Sequence, residues 1–283
     1  METVQRDRAA RLRALHASGV LVLPNAWDAG SAVLVAHAGA RAIATTSGGV
    51  SWSAGRPDGH GLTRAEMAER VRWITAAVDV PVTADVEGGY GPGAEDVADT
   101  VAAVVAAGAV GVNLEDSRAP GGPLFDATDQ GARLRAARSA ATAAGLPDLV
   151  VNARTDVFLF GIGAPEGRAA DVLARARVYA EAGADCLFVP GLVDLDVVAA
   201  LVKDCPLPVN VMAGPGAPSV ERFAAAGVRR ISVGTGLAQA AYSAAHRAAK
   251  ELLTTGTYEE LDGALDFGTV NALFPTAART PPR

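Results

Sequence analysis

The chain has almost no lysine: among its 25 basic residues only Lys203 and Lys250 are not arginine. Both lie in stretches with a helical pattern, away from strand ends. Schiff-base catalysis needs a desolvated lysine in a pocket, so aldolase-type and pyridoxal phosphate chemistry are excluded. Cysteine is equally scarce. Cys186 and Cys205 stand far apart, with no Cys-x-x-Cys and no neighbouring histidine pair, which excludes a disulfide framework and a zinc site and leaves packing as their role. The longest strongly apolar run, Val101 to Val112, is shorter than the about 20 residues of a membrane helix. Met1 to Arg13 is too polar for a signal peptide, so no membrane partner and a cytoplasmic location are expected. A basic surface is missing too: the formal charge is −6, and no run of like charge offers a footprint for nucleic acid.

What remains is an apolar α/β chain of 283 residues, 50% hydrophobic and 20% charged. Its length is near the about 250 residues of a single α/β barrel. One domain over 1–283 is expected, with Pro275 to Arg283 as a loose Pro-rich tail. A recurring phrase organises it: an Ala-rich helical stretch closes on Ala-Gly, and a short β-branched run follows. It occurs at Gly39, Gly108, Gly183 and Gly227, each where a helix would end on a left-handed cap. Further strands lie between these phrases. The pattern predicts strands at Val20–Pro24, Ala42–Thr46, Val82–Asp85, Val110–Glu115, Leu149–Arg154, Asp185–Val189, Pro208–Met212 and Arg230–Val233. Near-continuous apolar strands alternating with helices indicate a parallel sheet covered outside, and eight such units favour a (β/α)8 TIM-type barrel. Extra helices are expected before the first strand, at Thr3 to Ala17, and after the last, through about Leu273. An open dinucleotide-binding sheet fits less well, because the first strand runs into Pro24-Asn25-Ala26-Trp27-Asp28 and not into a Gly-x-Gly-x-x-Gly turn.

In such a barrel the C-terminal strand ends build the active site, and here they are acidic. Strand three ends in Asp85-Val86-Glu87-Gly88-Gly89-Tyr90, strand four in Asn113-Leu114-Glu115-Asp116, and strand five in Asn152-Ala153-Arg154-Thr155-Asp156. Asp85 and Glu87 share one face of a strand, with Glu115 beside them on the next. Uncompensated, these charges repel. A hard divalent cation relieves that, and Mg²⁺, or Mn²⁺ in its place, suits a few carboxylates plus retained waters. The alternative is that the acids cap helices or pair with arginines, as Asp116 with Arg118. Arg154 on a buried strand can grip a substrate carboxylate with its planar fork, or form a salt bridge to Glu115 or Asp156. Ser47-Gly48-Gly49 forms a turn whose bare amides suit an anion, unless it is a simple tight loop. The connection from Ser51 to Thr63 is a candidate lid carrying Asp58 and His60, although a loop acid or histidine is commonly just solvated. Tyr90 is a further proton donor candidate, and Asn113 a candidate substrate contact. His16, His37 and His246 fall in helical stretches, and Gly214-Pro215-Gly216 and Gly234-Thr235-Gly236 are short, nonspecific phosphate-loop candidates.

In order and spacing, Ser47-Gly48-Gly49, Pro57-Asp58, Ala84 to Gly91, Leu114-Glu115-Asp116 and Ala153-Arg154-Thr155-Asp156 resemble the active-site segments of the isocitrate lyase/phosphoenolpyruvate mutase superfamily. The resemblance spans Pro24 to about Phe274. It implies a barrel whose last helix swaps onto a neighbouring subunit, giving homodimers that pair into homotetramers. It implies Mg²⁺ held directly by Asp85 and largely through water by Glu87, Glu115 and Asp58. It also implies that Ser47 to Gly49 and Arg154 bind the substrate's carboxylate and oxo groups, while the Asp58 loop gates the pocket. Two departures stand out. The Lys-Lys/Arg-Cys-Gly-His loop of the lyases is replaced by Ser117-Arg118-Ala119-Pro120-Gly121-Gly122-Pro123, and an acid on strand six is replaced by Phe188-Val189-Pro190. The mutase and phosphonopyruvate hydrolase branch has Lys and Asn in that loop and Asp in place of Glu87, and none of these is present. The expectation is a Mg²⁺-dependent lyase, hydrolase or decarboxylase acting beside the carbonyl of a small 2-oxo mono- or dicarboxylic acid. The alternatives are a phosphoenolpyruvate or phosphonopyruvate mutase or P–C hydrolase, and a noncatalytic 2-oxo acid binder.

Overall fold

A computed structural model describes residues 3–274. The proposed loose tail, Pro275 to Arg283, lies outside the described residues. Nine parallel strands form one sheet: β1 (Leu21–Leu23), β2 (Asn25–Ala26), β3 (Ile43–Thr45), β4 (Val82–Asp85), β5 (Gly111–Glu115), β6 (Val150–Arg154), β7 (Cys186–Val189), β8 (Val209–Met212) and β9 (Arg230–Ser232). β1 lies within the predicted strand Val20–Pro24, and β2 carries the extended segment past that prediction, beyond Pro24, whose missing N–H cannot continue a ladder. β1 pairs with β9 and β2 with β3, so the two halves of this first segment join the ends of the sheet and close it into a (β/α)8 TIM-type barrel.

The outer layer holds α1 (Thr3–Ala17), α2 (Ala29–His37), α3 (Ser47–Ser53), α4 (Arg64–Ala77), α5 (Ala94–Ala106), α6 (Ala127–Ala143), α7 (Arg168–Glu181), α8 (Leu195–Asp204), α9 (Val220–Ala225), α10 (Gly236–Thr254) and α11 (Phe267–Ala272). The predicted helix-closing glycines do adopt the left-handed region, with φ of 98° at Gly39, 94° at Gly108, 91° at Gly183 and 88° at Gly227. A side chain there would be strained, and glycine is not. Asp28 and Thr63 form capping boxes that start α2 and α4 where the loops end. The two lysines lie on α8 and α10. Cys186 is buried and Cys205 half-buried, both as free thiols. No helix among the described residues is long and apolar enough to cross a membrane.

Inside the barrel lies a polar layer below the acidic rim. Asn152 Nδ2 donates to Asn113 Oδ1 at 2.8 Å and to Asn210 Oδ1 at 3.0 Å. The buried Arg230 donates to the same Asn113 oxygen at 3.0 Å. His16, from α1 at the opposite end, places Nδ1 2.8 Å from the Leu12 carbonyl, and its Nε2 lies 3.5 Å from Arg230 Nη1. That geometry suits a neutral ring donating through Nδ1–H. Burial lowers the His16 pKa to about 4, and the Arg230 charge adds to the fall. The unfolded chain therefore takes up a proton at about pH 6.5 that the folded chain refuses. Stability associated with His16 is full above that pH and is lost as pH falls toward 4, by up to about 3 kcal/mol. Denaturant unfolding of wild type and His16→Gln across this window checks it: the variant should show the shallower loss.

Candidate active site

Asp85 ends β4 at the C-terminal mouth of the barrel. Its backbone N–H donates to Thr45 Oγ1 at 2.8 Å, and one carboxylate oxygen accepts the Ser47 N–H at 3.1 Å. Ser47, Gly48 and Gly49 form the first turn of α3, not the open turn expected from sequence, so their amides lack intrahelical acceptors. The glycines serve close packing: a Cβ on Gly48 would stand 2.8 Å from the Thr235 methyl and 3.1 Å from an Asp58 oxygen. A Cβ on Gly49 would stand 2.8 Å from Trp27 Cβ. Asp58 is thereby brought beside the Ser47 turn, on a loop that rests against the hairpin formed by Ser117 and Leu124, with Gly59 against Pro120.

The loop after β4 holds Glu87 and Tyr90 in the left-handed region, at φ 50° and 57°. Such backbone costs roughly 1–2 kcal/mol per residue and persists only where neighbours impose it. Arg133 on α6 does so. Its guanidinium donates to the carbonyls of Gly88, Gly91, Pro92 and Gly93, four acceptors along that loop. Glu87 then accepts from the Tyr90 hydroxyl at 3.1 Å and from the His60 backbone N–H, while the His60 ring stands 3.7 Å away. His60 and Tyr90 also line a cavity of about 500 Å³, together with Arg64, Ser117, Arg118 and Phe125.

Arg154 forms both of the salt bridges that sequence left open. Nη1 is 2.8 Å from Glu115, and Nε is 2.6 Å from Asp156. Asp156 is positioned in turn by Ser117 Oγ at 2.6 Å and, through its own N–H, by Asp116 at 3.0 Å. Asp116 does not pair with Arg118. It accepts from Tyr179 at 2.8 Å and Arg175 at 3.1 Å, both on α7, whereas Arg118 pairs with Asp129 at 3.7 Å. Asn113 sits one layer down with its oxygen taken by Asn152 and Arg230.

The acids at the mouth feel one another. Burial pushes the Asp85 carboxyl up against the pull of Arg154, and Asp58 adds to the rise. Burial pushes Glu87 to about 7, the His60 N–H pulls back, and Asp85 and Asp58 add to the rise. Glu115 is also raised by burial, opposed by Arg154 and reinforced by Asp156, Asp85 and Glu87. Burial and the Glu87 charge raise the Tyr90 hydroxyl far above its usual value. Among the described residues no three acidic, histidine or cysteine side chains stand close enough to hold a metal ion directly. The donor set nonetheless fits a hard cation held by few protein oxygens. Asp85 can offer a carboxylate oxygen, and Asp58, Glu87 and Glu115 are near enough to interact electrostatically with it or with one another, an acidic surround of the kind that suits Mg²⁺ with retained waters.

The phosphoenolpyruvate phosphomutase family model matches residues 12–253. A Burkholderia cenocepacia J2315 protein provisionally assigned as a lyase/mutase is 37% identical, with a TM-score of 0.90, over 99% of this chain and 100% of its own. A second protein of that organism, provisionally assigned as a phosphonomutase, is 46% identical, with a TM-score of 0.82, over 86% of this chain and 99% of its own. The 2-methylisocitrate lyase of Bacillus subtilis is 33% identical over 195 residues, 66% of this chain and 61% of that enzyme. With that family model matched over most of its length, the chain belongs to the phosphoenolpyruvate phosphomutase family of the isocitrate lyase/phosphoenolpyruvate mutase superfamily, a group of lyases and mutases.

Proposed function

We propose that the protein is a Mg²⁺-dependent enzyme that breaks a bond beside the carbonyl of a small 2-oxo acid. One observation carries the reading: Asp85 and Glu115 lie beside Arg154 at the barrel mouth, Asp58 and Glu87 interact with these acids, and burial and mutual repulsion raise Asp85, Glu87 and Glu115. Asp85 would hold the ion directly, with Glu87, Glu115 and Asp58 as its outer acidic partners. When bound, the ion supplies Lewis-acid polarisation of the substrate's oxo and carboxylate oxygens. Arg154 and the Gly48 and Gly49 amides of the α3 first turn orient the carboxylate, the Ser47 amide being held by Asp85. Arg154 is pre-aimed by Asp156 and Glu115, so it loses little freedom on binding. Asp58 and His60, on the loop over the mouth, exclude water and carry protons, with the Tyr90 hydroxyl as a second donor beside Glu87. Mn²⁺ can replace Mg²⁺ in such an oxygen site, and the reaction runs in the cytoplasm.

The phosphonomutase likeness favours a second reading, P–C chemistry on phosphonopyruvate in the same pocket. Incubation of the Mg²⁺-loaded protein with 2-oxobutyrate, oxaloacetate or phosphonopyruvate, followed by proton and phosphorus NMR, separates them. Loss of a 2-oxo acid with no phosphorus signal of new shift supports the first reading. Asp85→Ala should slow it at least about 10³-fold, since the charge stabilisation of the ion is lost. Equal rates for variant and wild type would end the proposal.

The assembly we propose is a helix-exchanged dimer that pairs into tetramers. α10 buries only Ala238 of its own residues, while Leu253 and Phe267 are 84% and 85% exposed. Val22 on β1 and Leu34 on α2 are exposed as well, leaving apolar barrel surface for a neighbour's helix to cover.

A further inference from the structure

The wall of the mouth opposite the acids is uncharged. β7, β8 and β9 run into Phe188 to Val193, Met212 to Pro218 and Ser232 to Thr235, stretches with no lysine, arginine, histidine, aspartate or glutamate. Phe188 takes the register position beside Arg154, and its ring lies 5.9 Å from the guanidinium. That register and contact put it on the inner wall beside Arg154, where at 5% exposed it is packed as apolar surface. The half-buried Met212 lays its sulfur over Gly234, 2.6 Å from where a Cβ would stand, and so fills the neighbouring space with a polarizable, uncharged group. Arg168, on the helix after β6, is turned away to the carbonyls of Gly161 and Gly163. Arg230 lies in the layer below, on Asn113.

Charge points the same way. Arg154 is already held between Glu115 and Asp156, and a divalent ion would be held by Asp85, so neither is left for a second anionic group. A substrate's first carboxylate has Arg154, the α3 amides and the ion. A second carboxylate, or a phosphonate, would lie against Phe188 and Met212 with no donor to replace its lost water, which is strongly unfavourable. We propose that the substrate carries its 2-oxo acid group at the metal and an uncharged, alkyl-like group at its far end. This inference rests on the proposed 2-oxo acid reading and narrows its substrate class. Phe188 and Met212 are then specificity-determining residues.

The test is binding to the full-length protein in Mg²⁺, by calorimetry, of 2-oxovalerate against 2-oxoglutarate, which share a chain length and differ in the terminal charge. Pyruvate serves as the common anchor. The expected result is that 2-oxovalerate binds at least 10-fold tighter than 2-oxoglutarate, and that Met212→Lys narrows or reverses the ratio. Equal or tighter binding of 2-oxoglutarate by wild type, with pyruvate bound, overturns this inference and leaves the 2-oxo acid reading standing. If Arg118→Ala then abolishes that 2-oxoglutarate binding, the second carboxylate is read from the cavity that Tyr90 and Arg118 line, and the inference is overturned in a defined way. If neither pyruvate nor any other 2-oxo acid binds, the functional reading itself fails and the inference with it.

Discussion

Arg154→Lys is expected to weaken Mg²⁺-supported pyruvate binding about 100-fold and to lower kcat/KM at least as far, while the protein still folds. The lysine keeps the charge between Glu115 and Asp156 but has no planar fork. It can satisfy Asp156, which lies 2.6 Å from Nε, or Glu115, 2.8 Å from Nη1, and not both together with a substrate. Arg154→Ala should behave differently. It leaves Glu115 and Asp156 buried with no cation between them, a loss of roughly 3–5 kcal/mol in stability for a broken buried pair. Calorimetric titration for binding and urea unfolding for stability distinguish the two. A lysine variant that binds pyruvate as well as wild type would remove Arg154 from the substrate.

Asp116→Ala is expected to have the largest effect on stability. Asp116 is fully buried and accepts hydrogen bonds from Tyr179, Arg175 and the Asp156 backbone. Truncation leaves a guanidinium, a hydroxyl and an amide without that acceptor, which costs on the order of 3–5 kcal/mol. For a chain of this size the Tm should fall by on the order of 10 °C. Because the Asp116 carboxylate fixes the backbone of Asp156, and Asp156 fixes Arg154, activity measured well below the Tm should also fall, through KM more than kcat. Asp116→Asn keeps the shape and one acceptor and should recover most of the stability. Thermal unfolding and steady-state kinetics of both variants read these effects.

These two sites show what the sequence discloses and what it hides. Repeated Ala-Gly closures followed by β-branched runs made the barrel legible, because a helix cap and a buried strand are local events. The acidic strand ends were legible for the same reason: three successive runs stop on carboxylates. Partners were less so. Asp116 looked like a neighbour of Arg118, two residues away, but adjacent strands and helices in a barrel bring Arg175 and Tyr179 to it from a separate α-helix. Nothing local marks Arg133 as the residue that pins the Glu87 loop. The helical first turn at Ser47-Gly48-Gly49 was hidden by glycine's poor helix propensity, which tight packing against Thr235 and Trp27 overrides. The break at Pro24 was visible as a residue without being visible as the point of barrel closure.

The claim on which the rest depends is that the acids at the mouth share a divalent ion with the substrate. Titration of Mg²⁺ into wild type and Asp85→Ala, each with and without pyruvate, tests it most directly. The account predicts one Mg²⁺ per wild-type chain, tightened by pyruvate by the same factor as Mg²⁺ tightens pyruvate, and neither effect in Asp85→Ala. Pyruvate binding of equal strength in Mg²⁺ and in EDTA, with no Mg²⁺ taken up, would contradict it.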